Sequence, residues 1–487
     1  MIEKIGVIYD MNKKKTILIG IDGCDFRILK PLFEDGQLPT FSEILEKGVH
    51  GTLISTKPPN SLPAWTSIFT GVNPGKHGVI DFLIRDDKGF HIATGKRKVD
   101  TLWALLNRSG LRQIIVNDPI TYPPEKLNGI MLTGFSTPPG SKNFIYPEEL
   151  RDEIDKACGG YQPELDFDWK SLVSSDKNKG FNLITEFAKK DFKAAMYLAK
   201  NYEWDLLSIT FTSTDRLQHF YFNDKHLIRS HYELLDNMIN DIISLESDAN
   251  IFLMSDHGFG PLNKCFYINT WLKEQELLSE KQSKLNIILS SLGLTYKRIV
   301  SLLLRIKIYP IIARITPQSV KTEIPMFKGE LKTDYNQSSA FVNTTNGGLY
   351  INNYDIFSKI ITRLKSCKIN GETPIKNIHM RDEVWWGPYA KFAPDVILTP
   401  KYGYEISPRL APSALEIPLK FGDIRTGTHR PEGIFMAYGP DIKENYKLDQ
   451  YVQTWDLAPT LLHMMNLPIS IYLDGRVLKE IFKKEQS

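Results

Sequence analysis

Unbroken apolar runs that end abruptly in polar residues organise this chain. Ile251-Phe252-Leu253-Met254 stops at Ser255-Asp256-His257-Gly258, and Thr16-Ile17-Leu18-Ile19-Gly20-Ile21 stops at Asp22-Gly23. Short continuous runs of this kind predict strands buried on both faces, which deliver the next side chains from their C-terminal ends. A third run, Trp204 to Phe211, follows a long helical pattern over 180–203 and leads into Thr212-Ser213-Thr214-Asp215-Arg216-Leu217-Gln218-His219. Between them the spacing predicts a helix over Thr101–Asn107 and a strand over Arg112–Val116. Strand-like runs return at Ser339–Asn343, Gly348–Asn352 and Asp395–Leu398. Helices alternating with buried strands predict an α/β fold with a largely parallel central sheet.

Two further segments carry helix signals. In Lys57-Pro58-Pro59-Asn60-Ser61-Leu62-Pro63 an extended loop turns into a helix, with Ser61 at the expected N-cap, Pro63 in the first turn and Gly71 closing it. Near the end, Asp456-Leu457-Ala458-Pro459 reads as an Asp-capped helix start, and Leu473-Asp474-Gly475-Arg476 as a turn.

Composition adds bounds. The 487 residues, 42% hydrophobic and 24% charged, are those of a globular protein with a sizeable core. Cys24, Cys158, Cys265 and Cys367 lie far apart, which indicates neither a disulfide framework nor a thiolate zinc site. The sequence has no apolar run near the roughly 20 residues that span a bilayer, and no apolar segment of secretory type at its start, so a cytoplasmic location is expected. The net charge of +3 names no partner, but it is unevenly spread. Residues 281–322 hold eight basic side chains and no acidic one, interleaved with Leu and Ile. Ile299, Leu302, Leu303 and Ile306 follow helical spacing, with Arg298 and Arg305 on another side. This predicts a basic amphipathic helical insert, 276–335, between core segments 1–275 and 336–487. Two readings stand: a lid packed on the core, or a surface for anionic lipid or a polyanionic substrate, with a peripheral membrane contact through 281–322.

Candidate chemistry clusters at the ends of the buried runs. Asp215 and His219 are spaced i, i+4, so both project from one face of a helical turn and can grip one ion. Asp256-His257 and Asp22 sit at strand ends, and His429 lies in a loop, Gly427-Thr428-His429-Arg430, just before another apolar strand. Ser61 at a helix N-terminus has free N–H groups and the positive end of the dipole beside it, which suits a bound phosphate. Each has a plainer reading as a cap, a turn or a surface hydrogen bond, and for His77, in the turn Pro74-Gly75-Lys76-His77-Gly78, the structural role fits better. Taken together, three carboxylates, three imidazoles and a hydroxyl can furnish two neighbouring divalent cations with mixed N/O ligands. Zinc is the first expectation from such a set, and manganese is compatible with it. Two such ions bring four positive charges against three aspartates and a serine alkoxide, so the site is near neutral before it meets an anionic substrate. A pair of ions about 4 Å apart stabilises the attacking and leaving oxygens of an in-line phosphoryl displacement.

At this point the chain resembles the alkaline phosphatase superfamily, most closely its type I phosphodiesterase/nucleotide pyrophosphatase branch with the related phosphohydrolases and phosphomutases. The likeness runs through Ile21-Asp22-Gly23, Ser61-Leu62-Pro63 to Thr70-Gly71, Pro74-Gly75-Lys76-His77-Gly78, Asp215 with His219, Asp256-His257-Gly258, Gly427-Thr428-His429 and Asp456-Leu457-Ala458-Pro459-Thr460. It implies a three-layer sandwich, with Asp215, His219 and His429 as ligands of one metal and Asp22, Asp256 and His257 of the other. Ser61 matches the family's nucleophile, two positions before a proline and nine before Thr-Gly. The implied reaction is ping-pong hydrolysis through a phosphoserine, on a small-molecule or lipid or glycan phosphate ester and not a nucleic acid polymer. Two departures narrow it. The nucleotide pyrophosphatases' phosphate-binding asparagine, about 21 positions after the nucleophile, is replaced by Phe82, which speaks against nucleotide diesters. Ser61-Leu62-Pro63-Ala64-Trp65 also lacks the arginine that the sulfatase branch needs. Alternatives are a phosphomutase of the same superfamily and a non-catalytic protein binding anionic lipid or glycan.

Overall fold

The computed structural model describes residues 14–86, 89–92, 97–164, 176–280, 333–344, 347–418 and 423–483. The basic stretch 281–322, with the helical insert and the membrane surface expected of it, lies outside the described residues. The chain forms two compact units: Met1–Asn263 with Met380–Ala393 and Gly422–Ser487, and Lys264–His379 with Pro394–Phe421.

The first unit is built on one large sheet. Its elements, in chain order, are β1 (Thr16–Ile21), β2 (Val49–Ile54), α1 (Ser61–Thr70), β3 (Gln113–Asp118), β4 (Gly129–Thr133), β5 (Ile145–Tyr146), α2 (Lys177–Asn201), β6 (Leu206–Phe211), α3 (Ser213–Tyr221), α4 (Lys225–Ile243), β7 (Asn250–Met254), β8 (Gly258–Pro261), β9 (Gly427–Arg430), β10 (Glu432–Tyr438), β11 (Tyr446–Lys447), β12 (Val452–Gln453) and α5 (Leu457–Met464). The sheet runs β11-β2-β10-β7-β1-β6-β3-β4-β5, with β12 also on β2. Its centre, β7-β1-β6-β3-β4, is parallel throughout, while β10 is antiparallel to both β2 and β7.

Burial on both faces follows from the apolar runs. Along β1, Ile17, Ile19 and Ile21 pack in one cluster with Leu198, Tyr232, Leu235 and Ile239 of α2 and α4. Leu18, one residue out of phase, packs with Trp65, Phe69, Leu457 and Leu461 of α1 and α5 on the other face. The result is helix, sheet, helix: three layers. At Gly20 a Cβ would come within 2.5 Å of the Trp65 ring, so only glycine lets α1 approach β1 this closely.

The registers align the ends of the central strands. Ile21 stands opposite Phe211 and Gly20 opposite Met254, so Asp22, the start of α3 and Ser255-Asp256 emerge side by side. In a parallel sheet this is the edge where ligands bind.

Two local expectations are corrected. The N-cap of α1 is Asn60, in extended conformation, whose Oδ1 accepts from Leu62 N; Ser61 is the first helical residue. Asparagine caps as well as serine does, and with Asn60 in that role the Ser61 hydroxyl is released from capping. Asp456 sits at the start of α5 but accepts from the backbone N–H groups of Gln453 and Arg476 instead of capping α5. Gly71 closes α1 in the left-handed region, as its position in the sequence implies.

The second unit carries a four-stranded sheet of Ala340–Val342, Gly348–Ile351, Val396–Pro400 and Ile375–Met380. A three-stranded sheet has Lys264–Tyr267 between Tyr404–Ser407 and Leu415–Glu416. Among the described residues no helix is long and apolar enough to cross a membrane.

Candidate active site

Asp22, Ser61, Asp215, His219, Asp256, His257 and His429 all belong to the first unit and converge at the C-terminal edge of its sheet. Asp22 follows β1 directly, and Asp256-His257 follow β7 after one residue. Asp215 and His219 lie one turn apart on α3, with His219 Nε2 at 3.5 Å from Asp215 Oδ1. His429 corrects the sequence reading. It lies within a strand, β9, paired antiparallel with β8 so that His429 stands opposite Phe259. Because β8 begins at the residue after His257, this ribbon stacks the two imidazoles at a centroid distance of 3.9 Å.

The three imidazoles share one arrangement. His219 Nδ1 faces Gly427 O at 3.2 Å, His257 Nδ1 faces Gly258 O at 3.0 Å, and His429 Nδ1 faces Pro59 O at 3.2 Å. A carbonyl can only accept, so each Nδ1 carries a proton, and in the neutral ring each Nε2 then offers a lone pair. Those Nε2 atoms point inward. His219 Nε2 and His429 Nε2 are 3.1 Å apart, and His429 Nε2 is 3.1 Å from Asp215 Oδ1. His257 Nε2 lies 3.1 Å from Ser61 Oγ, 3.5 Å from Asp22 Oδ1 and 3.4 Å from Asp256 Oδ2. Ser61 Oγ is also 3.5 Å from Asp22 Oδ1.

This donor set fits cations. One close group is Asp215, His219 and His429, the trio that the family resemblance implies. The other close group is Asp22, Asp215 and His257, so Asp215 stands within reach of both, with Asp256 beside His257. Asp256 Oδ2 is buried and has no hydrogen-bond partner among the described residues, which a cation would supply. Burial, reinforced by Asp256 and Asp215, holds the Asp22 carboxyl well above its usual range, and burial with Asp215 does the same to Asp256. Burial pushes His257 well below its usual value, with His429 adding to the effect. At Asp215 burial acts upward, but the imidazoles of His219, His429 and His257 outweigh it and the carboxyl lies below its usual range. His429 is the counterpart: burial opposes its protonation, and Asp215 and Asp22 raise it nonetheless. Buried carboxylates crowded against inward-facing imidazole nitrogens are an arrangement that bound cations would stabilise.

Several supporting residues lie outside the seven candidates. Trp65 Nε1 donates to Asp22 Oδ2 at 3.1 Å, one helical turn beyond Ser61 on α1. Asn60, besides capping, donates from Nδ2 to Asp81 Oδ1 at 2.9 Å. Ser255 Oγ receives Cys24 N and donates to His257 O, tying the ends of β1 and β7. Trp65, at i+4 from Ser61, could have been placed on the serine's face by spacing alone; the partners of Asn60 and Ser255 could not. His77 is structural, as its turn indicates: it is fully buried, Nδ1 accepts from Val79 N, and Nε2 meets Ser67 Oγ at 3.0 Å. Phe82 is 39% exposed and packs edge-on against Phe135.

Comparison with known proteins bears on the fold and the family. Among curated proteins no sequence matches. Human ectonucleotide pyrophosphatase/phosphodiesterase 5 is similar in structure, with a TM-score of 0.56 at 12% identity over 97% of this chain and 100% of that one. Its murine counterpart, solved in an inactive form with AMP, gives 0.56 at 12% identity over 96% and 100%. Phosphonoacetate hydrolase from Sinorhizobium meliloti, solved with phosphonoformate, gives 0.58 at 14% identity over 94% and 96%. At such identities the likeness establishes the alkaline phosphatase-like fold. The sequence itself matches the family "Type I phosphodiesterase / nucleotide pyrophosphatase" over residues 16–410. The chain therefore belongs to the type I phosphodiesterase/nucleotide pyrophosphatase family, metal-dependent hydrolases of phosphoric esters.

Proposed function

We propose that this protein is a two-metal phosphodiesterase acting on a small phosphate ester through a phosphoserine on Ser61. The observation that carries the reading is the convergence of three imidazole Nε2 atoms and three carboxylates beside one serine hydroxyl. Asp215, His219 and His429 would hold one ion, and Asp22, Asp256 and His257 the other, with Asp215 near enough to serve both. Zinc suits this mixed N/O set best. When bound, the ions supply Lewis-acid charge that stabilises a serine alkoxide and the oxygens of the transferring phosphoryl group.

The chain's own residues do the rest. Ser61 stands at the first position of α1, where the helix dipole favours negative charge on Oγ and on a phosphoryl oxygen. Asp22 Oδ1 is the acceptor in reach of its proton, while His257 Nε2, 3.1 Å from Oγ, places the serine beside the ion that this nitrogen would hold. Oγ then attacks phosphorus, the bond to the leaving-group oxygen breaks, and water later cleaves the Ser61 ester to release phosphate or phosphomonoester. Trp65 holds Asp22 from the side of α1, so the carboxylate and the serine are positioned by one element. The likeness to pyrophosphatase/phosphodiesterase and phosphonate hydrolase structures supports a small substrate, while Phe82 at the asparagine position favours esters other than nucleotides.

The test is a metal-supplemented screen of aryl phosphate mono- and diesters and phosphonates with wild type and Ser61→Ala. We expect diester turnover in wild type and a fall to the background rate in the variant, with metal content unchanged. Undiminished turnover in Ser61→Ala would remove Ser61 from the nucleophile's role.

A further inference from the structure

Gln218 is a fully buried amide on α3, between the two candidate ligands Asp215 and His219. Its neighbours on the helix serve one half of the site, but its own side chain reaches the other half. Nε2 donates to Gly23 O at 2.9 Å, across 195 residues of sequence. Gly23 follows Asp22 directly, in the left-handed region at φ 73°. The N–H of the same residue donates to Asp256 Oδ1 at 3.3 Å. One residue therefore binds Asp256 through its N–H, carries Asp22 on its N-terminal side, and is gripped at its carbonyl by Gln218.

The orientation of the amide is set from behind. Tyr232, fully buried on α4, donates its hydroxyl to Gln218 Oε1 at 3.4 Å, which leaves Nε2 to face the Gly23 carbonyl. Space at the turn is also spent: a Cβ on Gly23 would come to 2.9 Å of the Phe259 ring and 3.1 Å of Gln218 Nε2. On its far side α3 is fastened to the strand of His429. Thr426 N donates to His219 O at 2.7 Å, and Phe222 N donates to Thr426 Oγ1 at 2.9 Å.

We propose that Gln218 is a positioning residue that fixes the separation of the two halves of the site, through Tyr232, Gln218 and Gly23 to Asp22 and Asp256. The inference rests on the two-metal reading above. An interior glutamine could serve merely to satisfy a carbonyl, and that role costs stability when lost without touching metal affinity. A link between the half-sites does touch it, since outer partners that orient ligands govern affinity by about 10–100-fold. A side chain of the same length without a donor, as in Gln218→Met, keeps the packing and removes the link.

The experiment is metal titration of the full chain with Zn2+ in competition with a chromophoric chelator, on wild type and Gln218→Met, with kcat and KM measured alongside. We expect two equivalents on wild type, a weaker equivalent that loses about 10–100-fold in affinity in the variant, and a fall in kcat with KM little changed. Two equivalents on wild type, with affinities in Gln218→Met within threefold of it, would overturn this inference alone. Fewer than two on wild type would overturn the two-metal reading and this inference with it. If Gln218→Met does not fold, Tyr232→Phe carries the test, because it removes only the hydroxyl that orients the amide: a threefold to tenfold weaker second equivalent supports the link, and unchanged affinity overturns it.

Discussion

Ser61 is an ordinary hydroxyl, and what separates it from the chain's other serines is placement: Asn60 has taken over the capping, and two candidate ligand atoms, His257 Nε2 and Asp22 Oδ1, stand within 3.5 Å of Oγ. The same logic governs a residue away from the metal ligands. Asp118, at the end of β3, is fully buried, and burial raises its carboxyl from 3.8 to about 7 although the hydroxyls of Ser208 and Thr210 donate to it at 2.6 and 2.7 Å. The folded protein thus holds this proton more tightly than the unfolded chain does. Asp118 contributes stability that is full below the unfolded value near 3.8 and is lost as pH rises to about 7, by at most about 4 kcal/mol. Asp118→Asn should remove that dependence, so the melting temperature of the variant relative to wild type should climb between pH 5 and pH 8. Parallel curves over that range would mean that Asp118 is already ionised in the folded state.

At the scale of elements, the site is made by where strands stop and helices start. Thr16–Ile21 form the strand that their apolar run predicts, and the strand of Ile251–Met254 extends by a single residue to Asn250. The i, i+4 spacing of Asp215 and His219 does lie on a helix. These features are local, since a continuous apolar run and a helical spacing are set by neighbours in sequence. The cap of α1 falls at Asn60, one residue before the position the sequence suggests, because asparagine and serine cap equally well and the choice depends on partners far along the chain. Asn60 makes two contacts that can be separated: its Oδ1 caps α1 and its Nδ2 holds Asp81. Asn60→Ala should therefore lose about 1 kcal/mol of stability and on the order of tenfold or more in kcat as Ser61 shifts, while Asn60→Ser should recover the stability through its cap. Equal kcat in all three proteins would make the cap a matter of stability alone.

For the whole molecule, the buried acids are the governing feature. Asp22 and Asp256 follow β1 and β7, Asp215 and His219 lie on α3 beyond β6, His257 stands in the turn between β7 and β8 and His429 in β9, so bound cations would tie together segments more than 400 residues apart. Chelation should then lower the melting temperature and zinc should restore it, each ion contributing about 2.7 kcal/mol when present at a hundredfold excess over its dissociation constant. A melting temperature indifferent to chelator and zinc would mean that these carboxylates are satisfied by protons instead.

Taken alone, the sequence determined the class of fold and marked seven candidate site residues, because apolar period, strand-end acids and helical spacing are written in short windows of chain. Tertiary structure decided how those residues meet. Only the strand registers bring Asp22, Asp215 and Asp256 to one edge. Only the pairing of β8 with β9 turns a loop histidine into a strand residue stacked on His257. The support of the site belongs to the same level: Trp65 on Asp22, and Gln218 on the Gly23 carbonyl. A hydrogen bond to a distant carbonyl or carboxylate leaves no period, spacing or composition behind, so its partners become legible only when the chain is folded.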